Sequence, residues 1–162
     1  MSEYTHEALT IRAERWLLGT VKCNFAFREL GSVGSEIPDA IGWREGFIST
    51  LVECKTSRAD FRADRKKWHR RIPENGMGMF RYMLCPKDMI QPEELPEGWG
   101  LLYCLPKTIR RIKKAENQPR NHRAEMTLLT SALRRVHLRG DLEKIYEYPP
   151  AHKPLLAGGC DG

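Results

Sequence analysis

Two hydrophobic runs in the first third of the chain carry charges where a buried strand would carry none. Pro38-Asp39 lies in "IPDAIGW" (37–43), and Glu53-Cys54-Lys55 closes "FISTLVECK" (47–55). Side chains alternate along a strand, so Phe47, Ser49, Leu51, Glu53 and Lys55 share one face while Cys54 turns to the other. Asp39 falls on the face of Ile37, Ile41 and Trp43. Pairing Trp43 with Phe47 across the turn "REG" (44–46) sets Asp39 opposite Leu51 and diagonal to Glu53, with backbones roughly 7–8 Å apart. Two carboxylates at that separation can reach one ion.

Adjacent acids repel one another and lose solvation, and a divalent cation relieves both costs. Hard oxygen ligands suit Mg²⁺ or Mn²⁺, which accept one or two carboxylates together with waters and substrate phosphate oxygens. The backbone carbonyl of Cys54 is a further oxygen donor between Asp39 and Glu53. Lys55 would project beside an attacking water or a phosphate and stabilise the charge developing there. The competing reading is structural: Lys55 neutralises Glu53 or Asp39 at a sheet rim and holds no metal.

Positioning these groups requires a sheet with covering helices. Leu9, Ala13, Trp16 and Leu17 recur at helical spacing, which predicts a helix from about Thr5 to Leu18 with Gly19 as its stop. Residues 23–30 read as a short strand, 31–35 as a loop, and 37–43 with 47–55 as a strand pair. A helix is expected from about Arg58 to Arg70. Strands follow at 79–86 and 101–105, with a short edge strand at 108–116. A last helix from about His122 to Arg139 turns Met126, Leu129, Leu133 and Val136 to one stripe. That order predicts an α/β domain with a central mixed sheet flanked by helices over residues 1–148, and a flexible Pro- and Gly-rich tail at 149–162.

Bulk properties agree with a soluble, polyanion-binding class. The 162 residues suffice for one domain with a real core, and the net charge of +6 favours nucleic acid. The five cysteines form no CxxC pair, so neither a disulfide framework nor a zinc ribbon is expected. Cys54, Cys85 and Cys104 lie in apolar runs as small hydrophobes. Residues 1–15 are charged and lack an apolar stretch, and no run approaches the length of a membrane span. These features predict a cytoplasmic setting and no membrane partner. His69, His122, His137 and His152 have no metal spacing with a cysteine pair and read as surface residues.

Pro38-Asp39, thirteen intervening residues and Glu53-Cys54-Lys55 resemble the motif of the PD-(D/E)XK nuclease superfamily, with its restriction-endonuclease-like core of a helix, three strands, a helix and a strand. "ECKTSRADFRADRKKW" (53–68) is similar to small bacterial and phage proteins related to MmcB-type DNA-repair proteins. "GMGMFRYMLCP" and "PEELPEGWGLLY" also look like phage or prophage members. The resemblance spans roughly residues 5–115 and implies metal-dependent phosphodiester hydrolysis in DNA repair, recombination or phage DNA metabolism. Asp39 and Glu53 would carry Mg²⁺ or Mn²⁺, and Lys55 would assist the water. Many members use a further acid on the first helix, for which Glu7 is the positional candidate, although the helical wheel turns it to solvent. Glu36 is another, placed by strict alternation on the wrong face.

Arg58, Arg62, Lys66 and Arg70 recur at steps of four and form a stripe that could hold a DNA backbone, with Phe61 and Trp68 facing the core. Asp60 and Asp64 dilute that stripe and could form ion pairs along the helix. "RRIPENGMGMFR" is the expected moving part, because Gly76 and Gly78 lower the cost of rearrangement. No separate DNA-recognition region is visible, so structure-specific or nonspecific cutting is expected, with a homodimer as one assembly. The alternative is a DNA-binding protein on the same fold that does not cleave.

Overall fold

The computed structural model describes residues 4–33 and 36–147, with Trp68 and His69 described by their backbones alone. Expectations for the 149–162 tail, His152, Cys160 and the side chains of Trp68 and His69 lie outside the described residues. Helix α1 (His6–Gly19) begins where the Thr5 hydroxyl accepts the Ala8 N–H, and it buries Leu9, Ala13, Trp16 and Leu17 as its spacing predicts. Strands β1 (Phe25–Arg28), β2 (Ala40–Arg44) and β3 (Ile48–Cys54) follow. After them come α2 (Arg58–Asp64), α3 (Trp68–Arg71), β4 (Phe80–Pro86), β5 (Gly100–Cys104), β6 (Ile109–Lys113) and α4 (His122–Leu138).

The six strands form one mixed sheet in chain order. β1–β2, β2–β3 and β5–β6 are antiparallel, whereas β3–β4 and β4–β5 are parallel. Strand alternation splits the core in two. Ala40, Val52, Cys54, Tyr82 and Leu84 face α1. Ile41, Leu51, Met83, Leu101 and Tyr103 face the other way, against Phe61 of α2 and Leu128 of α4. The result is three layers, with helices on both faces of the sheet. Cys23, Cys54, Cys85 and Cys104 are buried and free. Among the described residues no helix is long and apolar enough to cross a membrane.

Four expectations are corrected. Trp43 pairs with Ser49, and Arg44 with Ile48, in place of Trp43 with Phe47. The turn takes three residues, Glu45–Phe47, with Gly46 at φ 76° and Phe47 at φ 60°, and this leaves Phe47 86% exposed. The expected helix from Arg58 to Arg70 breaks after Asp64. Lys66 and Lys67 donate to carbonyls three residues back, which tightens the chain into a turn before α3. In α4, Met126 and Leu133 are 63% and 52% exposed, while Glu125 and Leu128 face the core. Glu125 sets that rotation by accepting from Trp43 Nε1, Ser49 Oγ and Gly78 N.

The fourth correction concerns the 73–78 loop, which is pinned. The buried Arg81 guanidinium donates to the carbonyls of Pro73, Gly76, Met77 and Gly78. Glu36 accepts the Met77 N–H. Gly78 adopts φ +88°, and a Cβ there would meet Leu51 Cβ at 2.6 Å. Gly78→Ala should therefore cost about 2 kcal/mol or more through left-handed strain and overlap. A urea midpoint equal to the parent's would contradict this packing.

Candidate functional site

The shifted register changes the acid pair. Continuing the β2–β3 pairing by one residue sets Asp39 level with Glu53, because Ala40 already pairs with Val52. Asp39 Oδ2 accepts the Cys54 N–H at 2.7 Å, which locks its carboxylate onto the end of β3. Burial pushes the Asp39 carboxyl up, and the neighbouring Glu53 charge pushes it further, to about 6. The Cys54 thiol turns into the α1 layer, as alternation predicts.

Glu53 and Lys55 point into the opposite layer and are only 2% and 3% exposed. Lys55 thus lies inside the protein, where the sequence reading set it beside an attacking water or a phosphate and out of the core. Its Nζ is 3.3 Å from both Glu53 Oε2 and Asp64 Oδ1. Burial alone would lower the lysine's pKa, but Glu53, Asp64 and Asp39 together raise it, so it stays charged. The same acids draw in Arg70. Its guanidinium reaches Glu36 Oε1 at 2.8 Å, Asp64 Oδ2 at 2.8 Å and Glu53 Oε1 at 3.0 Å. It also stacks 4.8 Å from the Trp99 ring centre. Burial raises the Asp64 carboxyl, yet Arg70 and Lys55 outweigh it and hold the group well below the usual carboxylate range.

Of the candidate residues, the structure brings Asp39, Glu53 and Lys55 to one end of β2 and β3, and it adds Glu36 through Arg70. Glu36 escapes strict alternation because it precedes β2 in irregular chain. Glu7 is exposed and lies outside the cluster. Its neighbour His6 is the α1 residue that reaches the site, with Nε2 3.4 Å from Asp39 Oδ1 and 3.4 Å from Glu29 Oε1. These three side chains offer ligand atoms within 4.8 Å of one another. Sequence reasoning missed His6, Asp64 and Arg70 as site residues. For Asp64 the one signal was the repeated acid–base pattern of "RADFRADRKKW", whose alignment depends on the break after Asp64.

The expected basic stripe is divided accordingly. Arg70 is consumed by the acids. Arg58 binds Glu94 and the Met89 carbonyl. Arg62 and Lys66 remain exposed on α2 and just past its end.

Carboxylates crowd this end of the sheet, a donor set that suits a small, hard cation. Lys55 and Arg70 neutralise part of that charge from inside, and Lys67 pairs with Asp64 at 2.9 Å from the edge. Glu53 Oε1 is buried without a hydrogen bond, although Arg70 Nη2 lies 3.0 Å away as its ion-pair partner.

No family model matches the chain, and no curated protein does. A similar solved structure is the SPO1766 protein of unknown function from Silicibacter pomeroyi. It is 19% identical, with a TM-score of 0.62 over 94% of this chain and 100% of that one. Likeness at this identity establishes a shared fold and carries no chemistry.

Proposed function

We propose that the chain is a cytoplasmic, Mg²⁺- or Mn²⁺-dependent nuclease that hydrolyses phosphodiester bonds in DNA, acting in repair, recombination or phage DNA metabolism. The observation that carries this reading is the level pair of Asp39, one residue before β2, and Glu53 on β3, with the Asp39 carboxyl held at about 6 by burial and by Glu53. The chain order of a helix, three strands, helices and a parallel strand supports the resemblance to the PD-(D/E)XK superfamily. So does the position of Lys55 two residues beyond Glu53.

Asp39, Glu53 and the Cys54 carbonyl would hold the cation. When bound, it supplies positive charge to neutralise the acids and to polarise a phosphate. The chain's own groups do the rest. Lys55 places an ammonium beside Glu53, and Asp64 fixes that ammonium from its other side. Arg62 and Lys66 would hold DNA phosphates, and Arg58 would join them once released from Glu94. Because Glu53 and Lys55 are closed off, the Arg70 contacts must loosen for a phosphate to enter.

The pH dependence follows from Asp39. Its carboxyl lies above its ordinary 3.8 in the folded chain. The stability it contributes is therefore full below pH 3.8 and is lost as pH rises through 6. Cation binding runs the other way, since the ion must displace the proton. Calorimetry should find Mn²⁺ bound about tenfold more tightly at pH 7.5 than at pH 5. Asp39→Asn should weaken binding and flatten that dependence. Equal Mn²⁺ affinity in parent and variant would sink the site.

One observation favours a non-cleaving DNA-binding protein on the same fold. Lys55 and Arg70 already face both oxygens of Glu53 inside the core, as in the salt-bridge reading of the motif. That reading expects no cation at Asp39 and no turnover.

A further inference from the structure

A cavity of about 320 Å³ opens on the α1 face of the sheet, away from the acid–lysine cluster. Arg44 at the end of β2, Arg111 on β6 and Lys114 just past β6 all line it, and no carboxylate does. Among the described residues none of these three cations has an ion pair or a side-chain hydrogen bond. Among the described residues, surface arginines of this protein divide into those with an acceptor and those without one, such as Arg15, Arg62 and Arg110. Arg12 takes the Thr108 carbonyl, Arg28 takes Glu14, and Arg135 takes the Gly31 carbonyl. What sets Arg44, Arg111 and Lys114 apart is their convergence on one cavity.

Two ordinary duties of surface cations do not account for this convergence. The C-terminal end of α1 lies here, but none of the three cations donates to its carbonyls, and two of those carbonyls are already satisfied. Trp16 O accepts from Thr20 and Val21, and Leu17 O accepts from Cys23. Edge protection explains charge on β6, yet it does not require Arg44 to approach the same cavity from the far side of the sheet. β2 and β6 are four strand spacings apart, about 19 Å between backbones. Long side chains reaching inward from both sides bracket something larger than a bare phosphate.

We propose that this cavity binds a nucleotide unit through its phosphate. The volume is at the small end of ligand cavities, which run from roughly 300 Å³. Arg44, Arg111 and Lys114 supply the counter-charge, and Thr50 forms part of the wall. Trp16 and Tyr82, packed edge to face at 5.2 Å, form an apolar floor for a sugar or base. Thr50 faces α1 whereas Glu53, three residues on, faces the other layer, so the two sites share no wall. This inference stands whether or not the acid cluster cleaves DNA. The nucleotide unit comes either from a free mononucleotide or from a nucleic-acid strand, and the two sources separate experimentally.

The test is done in EDTA, which removes any contribution of divalent cations. AMP binding is measured by calorimetry, and binding of a fluorescein-labelled single-stranded decanucleotide by anisotropy. Arg111→Glu should weaken at least one of the two by tenfold or more. Arg110→Glu, on the same strand but turned by alternation to the other face, should change neither beyond about twofold, as expected for diffuse charge. Circular dichroism checks that both variants fold. AMP binding lost in Arg111→Glu assigns the cavity to a free nucleotide. Decanucleotide binding lost without any AMP binding by the parent assigns it to a strand. Equal losses in the two variants, or no binding of either probe by the parent, would overturn the proposal.

Discussion

Lys55→Ala should cut single-turnover cleavage at saturating Mn²⁺ by about 100- to 1,000-fold, the usual cost of removing one group that stabilises transition-state charge. DNA and Mn²⁺ affinity should change little, because an interaction made only in the transition state lowers turnover without a matching loss of binding. The buried position of Lys55 complicates the comparison. Removing its ammonium leaves Glu53 Oε2 without its 3.3 Å partner, so rates must be expressed per folded molecule. Lys55→Arg separates the two roles. It keeps the charge and can still pair with Glu53 and Asp64, but its planar fork changes the geometry. Stability should recover more than cleavage does. Equal rates per folded molecule in parent, Ala and Arg variants would make Lys55 a salt-bridge residue alone.

Arg70→Ala should be the most destabilising single change in the cluster, at about 3–5 kcal/mol. The guanidinium is the shared partner of Glu36, Glu53 and Asp64, and its loss strands buried negative charge. Arg70→Lys should recover only part of this, since one ammonium cannot reproduce a fork that serves three acids. Mn²⁺ should raise the melting temperature of Arg70→Ala by more than that of the parent, because the ion takes over the neutralising charge. A variant as stable as the parent, by urea unfolding, would mean that these ion pairs contribute nothing.

The contrast between Lys55 and Arg70 shows what a sequence can reveal here. Glu53 and Lys55 were legible because a strand's alternation is local: two residues on one strand share a face whatever else happens. The same rule placed Cys54 in the α1 layer, and helical spacing, equally local, set the Leu9–Trp16 stripe against the sheet. Asp39 was legible as an acid near Glu53 but not in its register. A three-residue turn with Gly46 and Phe47 both at positive φ slid the pairing and brought Asp39 level with Glu53.

Arg70 was read as the end of an exposed stripe because nothing within "RADFRADRKKW" requires a helix to stop after Asp64. The stop is set by what lies beyond the segment, namely Glu36, Glu53 and Trp99. His6 was hidden for a similar reason, since its approach to Asp39 exists only after α1 docks on the sheet. Met126 and Leu133 looked like core residues by spacing. Glu125 rotated α4 away from that face by finding Trp43, Ser49 and Gly78, all distant in the chain. In α4 a long-range polar contact overrode a local apolar pattern, and at Arg70 and His6 the deciding partners were likewise distant in the chain.

The central claim is that the Asp39–Glu53 end of the sheet hydrolyses phosphodiesters with a divalent cation. It is tested most directly by incubating the purified protein with single-stranded, duplex and branched DNA, in Mg²⁺, in Mn²⁺ and in EDTA, beside Asp39→Asn. The account predicts cleavage of at least one substrate in a divalent cation, none in EDTA and none by folded Asp39→Asn. Cleavage that persists in EDTA or in Asp39→Asn would contradict it. So would DNA that is bound by the parent and left intact under every condition.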